Sequence, residues 1–323
     1  MNNIAVVGLG NISKRHRANL RKLYPDAKIF AVSASGRKTI DSIENADQYF
    51  SSFDEVLKYN LDMAIVASPA TFHVQHAISF LRAGIPVLIE KPLSASVMDA
   101  QAVAAVAKET GVVAAVGYCL RYLPSIKKVK ALIDNNTVGV IYNVFVEIGQ
   151  YLPDWRADKN YRQTVSASAA LGGGALLELS HEFDYAQWLF GELTAHSAIL
   201  RSSEELGLSV EDSADVLTVS NGGIVVSFHL DFLQPKARRK CRIIGSKGAI
   251  EWDLLNNQVV IVTADDCNMV FDGSLWDRNE MYLNMLNDFE CKVYGQSNKC
   301  ITLEEAQKTV FLINEIKLLA LKR

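Results

Sequence analysis

In the first third of the chain, short apolar runs alternate with longer stretches whose apolar residues recur at helical spacing. Residues 4–7, 28–32, 63–67, 87–89 and 112–116 are brief and rich in β-branched side chains, which predicts strands. The windows 12–23, 53–59, 71–82 and 97–110 predict helices. The last window also carries signals at its ends. Ser96 with Asp99 three residues on forms a capping pair, and Gly111 stands where a left-handed residue closes a helix. Strands that are apolar without alternation are buried on both faces, and strands alternating with helices need right-handed crossovers. The expectation is a doubly wound α/β domain with a parallel sheet over residues 1–120.

Beyond residue 120 the pattern changes. A helix over 125–134 leads into a strand over 140–148, where Tyr142, Val144, Val146 and Ile148 alternate with Asn143, Phe145 and Glu147. Residues 151–170 read as a long loop, and long loops inside a domain usually carry function. A helix over 175–190 is followed by strands over 196–201, 215–220, 224–231, 240–244, 249–252 and 258–262. Turn signals such as Asn221-Gly222-Gly223 and Gly245-Ser246-Lys247-Gly248 separate them, and strands joined so briefly pair antiparallel. Helices over 278–294 and 303–321 close the chain. The second expectation is an α+β C-terminal domain over 121–323, with an open, mainly antiparallel sheet and helices on one face.

Composition narrows the function classes. The chain has 323 residues, 49% hydrophobic and 21% charged, which suits two domains with full cores. Its net charge of −3 is too balanced to imply a nucleic-acid partner. No apolar run approaches the roughly 18 residues that span a bilayer. The apolar stretch 4–9 is too short for a signal peptide and has no basic leader. The five cysteines are scattered and form no C-x-x-C pair, which argues against a disulfide framework or a zinc site and fits a reducing cytoplasm.

The first chemical signal is Gly8-Leu9-Gly10-Asn11-Ile12-Ser13, which follows the first strand and opens a helix. Gly8 allows a tight turn, Gly10 lets backbone approach a pyrophosphate, and Ser13 is the small residue in the third position. In a βαβ unit this spacing points to a dinucleotide resting on the helix N-terminus. The second strand ends in Val32-Ser33-Ala34-Ser35-Gly36-Arg37-Lys38, with no acid before Asp41. Hydroxyls at Ser33 and Ser35 followed by Arg37 suit a 2′-phosphate, which favours NADP over NAD. A merely solvated basic loop is the alternative.

Ser68-Pro69-Ala70-Thr71-Phe72-His73 and the run Ala83-Gly84-Ile85-Pro86-Val87-Leu88-Ile89-Glu90-Lys91-Pro92 extend the pattern. So do Val116-Gly117-Tyr118 leading to Arg121, and Gly172-Gly173-Gly174 before a histidine-bearing helix. Together these resemble the Gfo/Idh/MocA oxidoreductases. The resemblance implies a Rossmann domain, an open antiparallel sheet, and NAD(P)-dependent chemistry on sugars, polyols or sugar nucleotides. It also implies coenzyme contacts from Gly8, Gly10, Asn11, Ile12, Ser33, Ser35, Arg37, Ser68, Pro69, His73, Glu90, Lys91, Trp155 and Arg156. Arg121, Tyr122, Tyr161 and Asp184 are candidates for the substrate, with domain-interface packing as the alternative for several of them. A homodimer or homotetramer through the open sheet is expected.

Lys91 also stands out on its own, because ligands of open α/β sheets bind just past the carboxyl ends of the strands. An ammonium there can stabilise a developing alkoxide; a salt bridge with Glu90 is the plainer alternative. On the 175–190 helix, Glu178, His181 and Asp184 recur at i+3 and are expected on one face. His181 is the expected general base, oriented by a carboxylate neighbour. Lys91, His181 and Glu178 are thus the expected catalytic set, with Lys91 and His181 facing a common nicotinamide. No metal site is expected: His73 and His76 lack a third ligand, and His76 is expected at the surface. His16, His196 and His229 show no constellation. Redox-neutral epimerisation or glycoside cleavage, and a non-enzymatic NADP-binding regulator, are the competing readings.

Overall fold

The apolar runs form one sheet of six parallel strands. In the computed structural model, which describes residues 1–38, 42–156 and 160–320, these are β1 (Asn3–Val7), β2 (Lys28–Val32), β3 (Gln48–Phe50), β4 (Met63–Val66), β5 (Val87–Ile89) and β6 (Ala114–Val116). Their order is β3-β2-β1-β4-β5-β6. Ile4, Val6, Met63 and Ile65 have no exposed surface, as expected for strands covered on both faces. Helices α1 (Asn11–Leu23), α2 (Phe53–Val56) and α3 (His73–Arg82) pack on the strands, and α4 (Val97–Thr110) packs on α3. The cap signals of α4 hold: the Asp99 amide donates to Ser96 Oγ at 3.1 Å, and Gly111 closes the helix at φ +65°. β3 escaped the apolar-run criterion because it pairs only with β2, and an edge strand need not be apolar on both faces.

The strand ends are in register. Val32, Val7, Val66, Ile89 and Val116 are paired neighbours across the sheet, forming its last rung. The residues that leave this rung are Ser33, Gly8, Ala67, Glu90 and Gly117. One row of the sheet therefore launches most of the chemistry-bearing turns of this half of the chain.

The second sheet has eight strands. After α5 (Pro124–Asp134) and β7 (Ile141–Gly149), a series of short 3-10 turns runs to Leu171, followed by α6 (Ala175–Glu178) and α7 (His181–Phe190). Then come β8 (Leu193–Arg201), β9 (Ser213–Ser220), β10 (Val225–Asp231), β11 (Arg238–Gly245), β12 (Gly248–Asp253), β13 (Gln258–Val262) and β14 (Cys267–Asp272). The order is β14-β13-β12-β11-β7-β10-β9-β8. Strands joined by hairpins pair antiparallel, as expected. The expectation needs one correction: β7 inserts between β10 and β11, and its pairing with β10 is parallel. No hairpin joins β7 to β10, so the short-turn rule does not govern that pair. β14, another edge strand, was also missed.

Contacts within the chain separate two units, Met1–Tyr118 with Asn279–Val310, and Cys119–Arg278 with Phe311–Arg323. Helix α8 (Glu280–Val293) thus groups with the parallel sheet. Side-chain amides explain this locally: Asn279 Nδ2 donates to Asn19 on α1 at 2.8 Å, and Asn19 Nδ2 lies 3.3 Å from Asn279 Oδ1. Helix α9 (Leu303–Ala320) ends the described chain.

The core of the second unit holds a buried ion pair. Arg239 on β11 grips Glu182 on α7 with two hydrogen bonds, at 2.7 and 3.0 Å, and Glu182 is fully buried. Burial alone would lower the Arg239 pKa; the adjacent Glu182 carboxylate reverses this and keeps the guanidinium charged. Removing one partner leaves an uncompensated buried charge. Glu182→Ala is therefore expected to lose about 3–5 kcal/mol of stability in urea titration, whereas Glu251→Ala, which breaks an exposed pair with Arg242, should lose under ~1 kcal/mol.

Candidate active site

In the first unit the geometry begins at the last rung. Gly8 turns the chain at φ +111°, and a Cβ there would stand 2.5 Å from the Ala67 carbonyl oxygen, so only glycine fits. Gly10 is the N-cap of α1 and makes no side-chain cap, and nothing lies within 4 Å of where its Cβ would point. Ser13 takes the third glycine's place by donating to Ala67 O at 3.1 Å. The first turn of α1, starting at Asn11 and Ile12, carries no acid. Amides unclaimed by a cap, a positive helix end and open space before Gly10 fit the pyrophosphate of a dinucleotide coenzyme.

After β2, the Arg37 amide donates to Ser33 Oγ at 2.9 Å and the Tyr49 hydroxyl donates to the Arg37 carbonyl, which shapes the loop. Ser33 is buried, while Ser35 and Arg37 are exposed. Asp41 lies outside the described residues.

After β4, Ser68 and Pro69 lead into α3, whose two histidines differ from expectation. His76, expected at the surface, is 4% exposed. It accepts from Ser68 Oγ at 3.0 Å and stacks on Phe53 at 4.7 Å. Burial and the neighbouring His73 depress its pKa to about 4, so the ring is neutral and accepts. A stacked, hydrogen-bonded histidine leaves no trace in helical periodicity. His73 lies between two carbonyls, Pro92 O at 2.8 Å and Ser68 O at 2.7 Å. Burial lowers its pKa and a neutral ring donates to only one of these carbonyls, so one contact is a hydrogen bond and the other a close approach without a shared hydrogen.

At the end of β5, Glu90 is buried and held by protein groups, and the Lys91-Pro92 bond is cis. Oε1 lies 2.7 Å from His16 Nε2, and Oε2 accepts the Lys91 amide at 3.2 Å. Burial alone would raise the Glu90 pKa, but the His16 hydrogen bond and the charges of His16 and Lys91 hold it below its ordinary value. His16 was missed. The available signal was its place on the inward stripe of α1 with Ser13, Arg17 and Leu20, all buried.

In the second unit, the expected single helix over 175–190 is broken. α6 stops at Glu178, Leu179 leaves helical geometry at φ −99°, ψ +23°, and α7 starts at His181. Glu178, His181 and Asp184 therefore do not share one continuous helical face. The glycines before the break serve the protein's own backbone. A Cβ on Gly173 would meet Val165 O at 2.4 Å, and one on Gly174, at φ +102°, would meet the Glu211 carboxylate at 2.5 Å. The substrate candidates Arg121 and Asp184 are committed to each other by hydrogen bonds of 3.0 and 2.7 Å, and Asp184 is buried. Tyr122 is buried, and the Tyr161 hydroxyl donates to Leu206 O at 3.2 Å. Trp155 donates from Nε1 to Gln150 O at 3.3 Å and sets its ring edge-on to Phe232. The Arg156 side chain lies outside the described residues.

His229 also departs from expectation. It sits between two carboxylates on the outer face of the second sheet, Asp215 at 2.7 Å and Asp231 at 2.9 Å. Cross-strand register, invisible in the sequence, brings in Asp215, while Asp231 lies two residues along the same strand. Hydrogen bonds donated to Asp231 and Asp215 outweigh partial burial and raise its pKa to about 9. The folded state thus binds the proton more tightly than the unfolded chain, whose histidine titrates near ~6.5. The stabilisation is complete below that value and is lost as pH rises through about 9. His229→Gln should lower the urea midpoint at pH ~6 and converge on wild type near pH ~10.

Among the described residues there is no cluster of three or more metal-ligating side chains, and no helix is long and apolar enough to cross a membrane. None of the five cysteines forms a disulfide.

This parallel sheet with a glycine turn at the end of β1, followed by an eight-stranded mixed sheet, defines a dinucleotide-binding oxidoreductase architecture. The profile described as "Oxidoreductase family, NAD-binding Rossmann fold" matches residues 2–118, and the GFO/IDH/MocA C-terminal domain matches residues 126–251. The chain belongs to the Gfo/Idh/MocA oxidoreductase family. It is 26% identical to myo-inositol 2-dehydrogenase of Thermotoga maritima, over 80% of this chain and 78% of that one. It is also 26% identical to scyllo-inositol 2-dehydrogenase (NAD(+)) of Bacillus subtilis, over 80% and 75%. Among solved structures, levoglucosan dehydrogenase in complex with NADH superposes with a TM-score of 0.85 at 20% identity, covering 99% of this chain and 97% of that one. That likeness concerns the fold.

Proposed function

We propose that the chain is a dehydrogenase or reductase that moves a hydride between a nicotinamide coenzyme and a carbinol of a sugar, polyol or sugar nucleotide. One observation carries this reading. The turn fit for a pyrophosphate leaves β1, and Lys91 leaves β5, at the same edge of one parallel sheet with only β4 between them. Neighbouring strands lie ~4.8 Å apart, so the two turns start about 10 Å from each other, at the edge where open sheets bind ligands. The sugar and polyol dehydrogenases among the relatives support the substrate class.

The amides of Gly10, Asn11 and Ile12 receive the pyrophosphate in this reading. Ser33, Ser35 and Arg37 face the adenosine ribose, where a guanidinium beside two hydroxyls favours NADP. Ser68, Pro69 and His73 shape the wall beside it, and Trp155 borders the nicotinamide. When bound, the coenzyme supplies the hydride acceptor or donor. Lys91 donates a hydrogen bond to the substrate oxygen and stabilises the negative charge that grows there. His181 takes the hydroxyl proton as the carbinol carbon gives up its hydride, and returns a proton in reduction; Glu178 orients the base or binds an adjacent hydroxyl. Arg121 and Asp184, paired with one another, hold the start of α7, and Tyr122 and Tyr161 frame the substrate. The outer face of the second sheet, with Phe145, Ile199 and Leu217 exposed, is where a second copy docks to form a homodimer or homotetramer.

The test is a screen of myo-inositol, scyllo-inositol, levoglucosan and glucose 6-phosphate with NAD and NADP, followed by nicotinamide absorbance. Turnover of at least one, better with NADP, is the expected result. Coenzyme binding without turnover of any sugar or polyol would overturn the reading.

A further inference from the structure

Below the end of β5 lies an ionisable pair that the proposed chemistry does not use. His16 is fully buried, and its Nε2 stands 2.7 Å from Glu90 Oε1. The other carboxylate oxygen accepts the Lys91 amide at 3.2 Å. Gly117 keeps room for this carboxylate, since a Cβ there would stand 3.3 Å from Oε1. Tyr282 on α8 meets the His16 ring edge-on at 6.2 Å. The charged and titratable groups around Glu90 are His16 from α1, Lys91 next to it in sequence, and His73 from α3.

The proton of the pair follows from the partners. A carboxylate only accepts, so His16 Nε2 carries the hydrogen. The Nδ1 atom is buried with no hydrogen-bond partner among the described residues. The pair is therefore directional: α1, whose first turn faces the coenzyme site, donates to Glu90, and Glu90 accepts from the backbone of Lys91.

The geometry points to His16 as a positioning residue, which acts through Glu90 to fix the peptide at Lys91 relative to the helix that receives the coenzyme's phosphates. This rests on the role proposed for Lys91. The effect is mechanical and electrostatic together, because the carboxylate fixes the direction of the Lys91 amide and stands near its ammonium. A misplacement of about 1 Å at a catalytic group costs roughly 100-fold in rate, so one lost hydrogen bond here has a large lever.

The experiment compares His16→Leu, which removes the donor, with His16→Gln, whose side-chain amide nitrogen reaches the position of Nε2. Protein labelled with 15N-lysine is titrated with pH in the presence of NADH, and the Lys91 amide is assigned by its loss in Lys91→Arg. In wild type the Lys91 amide should titrate below the ordinary glutamate range, reporting Glu90. In His16→Leu the inflection should move toward neutrality and kcat should fall about 100-fold, with the Kd for NADH unchanged; His16→Gln should restore both. Should His16→Leu not fold, Glu90→Gln takes its place. The Lys91 titration should then vanish, kcat should fall comparably, and adding His16→Gln should cost nothing further. An unmoved Lys91 amide, or loss of activity only in step with loss of NADH binding and Tm, would overturn the inference. A parallel Lys91→Met variant separates the two levels. If it keeps turnover, the role of Lys91 fails; if it is inactive while His16→Leu behaves as wild type, only the role of His16 fails.

Discussion

Lys91→Met is expected to lower kcat about 10²–10³-fold while leaving the Kd for NADH or NADPH unchanged. Methionine keeps most of the lysine stem and removes only the ammonium, so the change isolates the charge. A donor aimed at charge that grows in the transition state contributes about 2.7–4 kcal/mol, because the ground-state hydroxyl needs it far less. Coenzyme affinity should survive because, in the proposed reading, the phosphates rest on backbone amides at the start of α1 and not on this side chain. The check pairs steady-state kinetics on a turned-over polyol with a titration of bound NADH. A kcat within about tenfold of wild type would place the reacting oxygen somewhere other than Lys91.

His181→Asn should have a comparable effect, lowering kcat by about 10²–10⁴-fold. Asparagine can still hydrogen-bond but cannot hold a proton at neutral pH. The residue begins α7 directly after the break at Leu179–Ser180, so its backbone is set by the chain on both sides and its replacement should leave the fold intact. The loss should be independent of coenzyme binding, the limb of the pH–rate profile that reports the base should flatten, and added imidazole should restore part of the rate. If the variant matches wild type in kcat and pH profile, the proton goes elsewhere and Glu178 is the next candidate.

Sequence reading succeeded where burial leaves a one-dimensional trace. Apart from Asn3 and Lys28 at their starts, β1, β2, β4 and β5 are apolar because both faces are covered, and the glycine turn and Ser96–Gly111 caps are local by nature. The edge strands β3 and β14 failed for the converse reason, since Gln48-Tyr49-Phe50 and Cys267–Asp272 pair on one side only. The helical break before His181 was hidden because the apolar spacing continues across it while Ser180 is itself fully buried. His16, His76 and His229 share a third cause. Their partners Glu90, Ser68 and Asp215 come from other turns or strands, and pairing of that kind depends on register and helix rotation; Asp231, on the same strand as His229, completes the last of these sites. The glycine triplet was visible, but its first demand comes from Val165, Ser166 and Glu211.

The shared rung at Val32, Val7, Val66, Ile89 and Val116 has a consequence for how such a chain can change. Because these strands stop at a common level, their outgoing turns leave one fixed platform. Residues 35–38 of the turn after β2 are exposed, so exchanging them leaves the platform's packing untouched and separate from the lysine that follows β5. Deleting one residue inside a strand instead turns its apolar set toward the wrong layer. The platform therefore tolerates novelty in its turns and resists it in its strands.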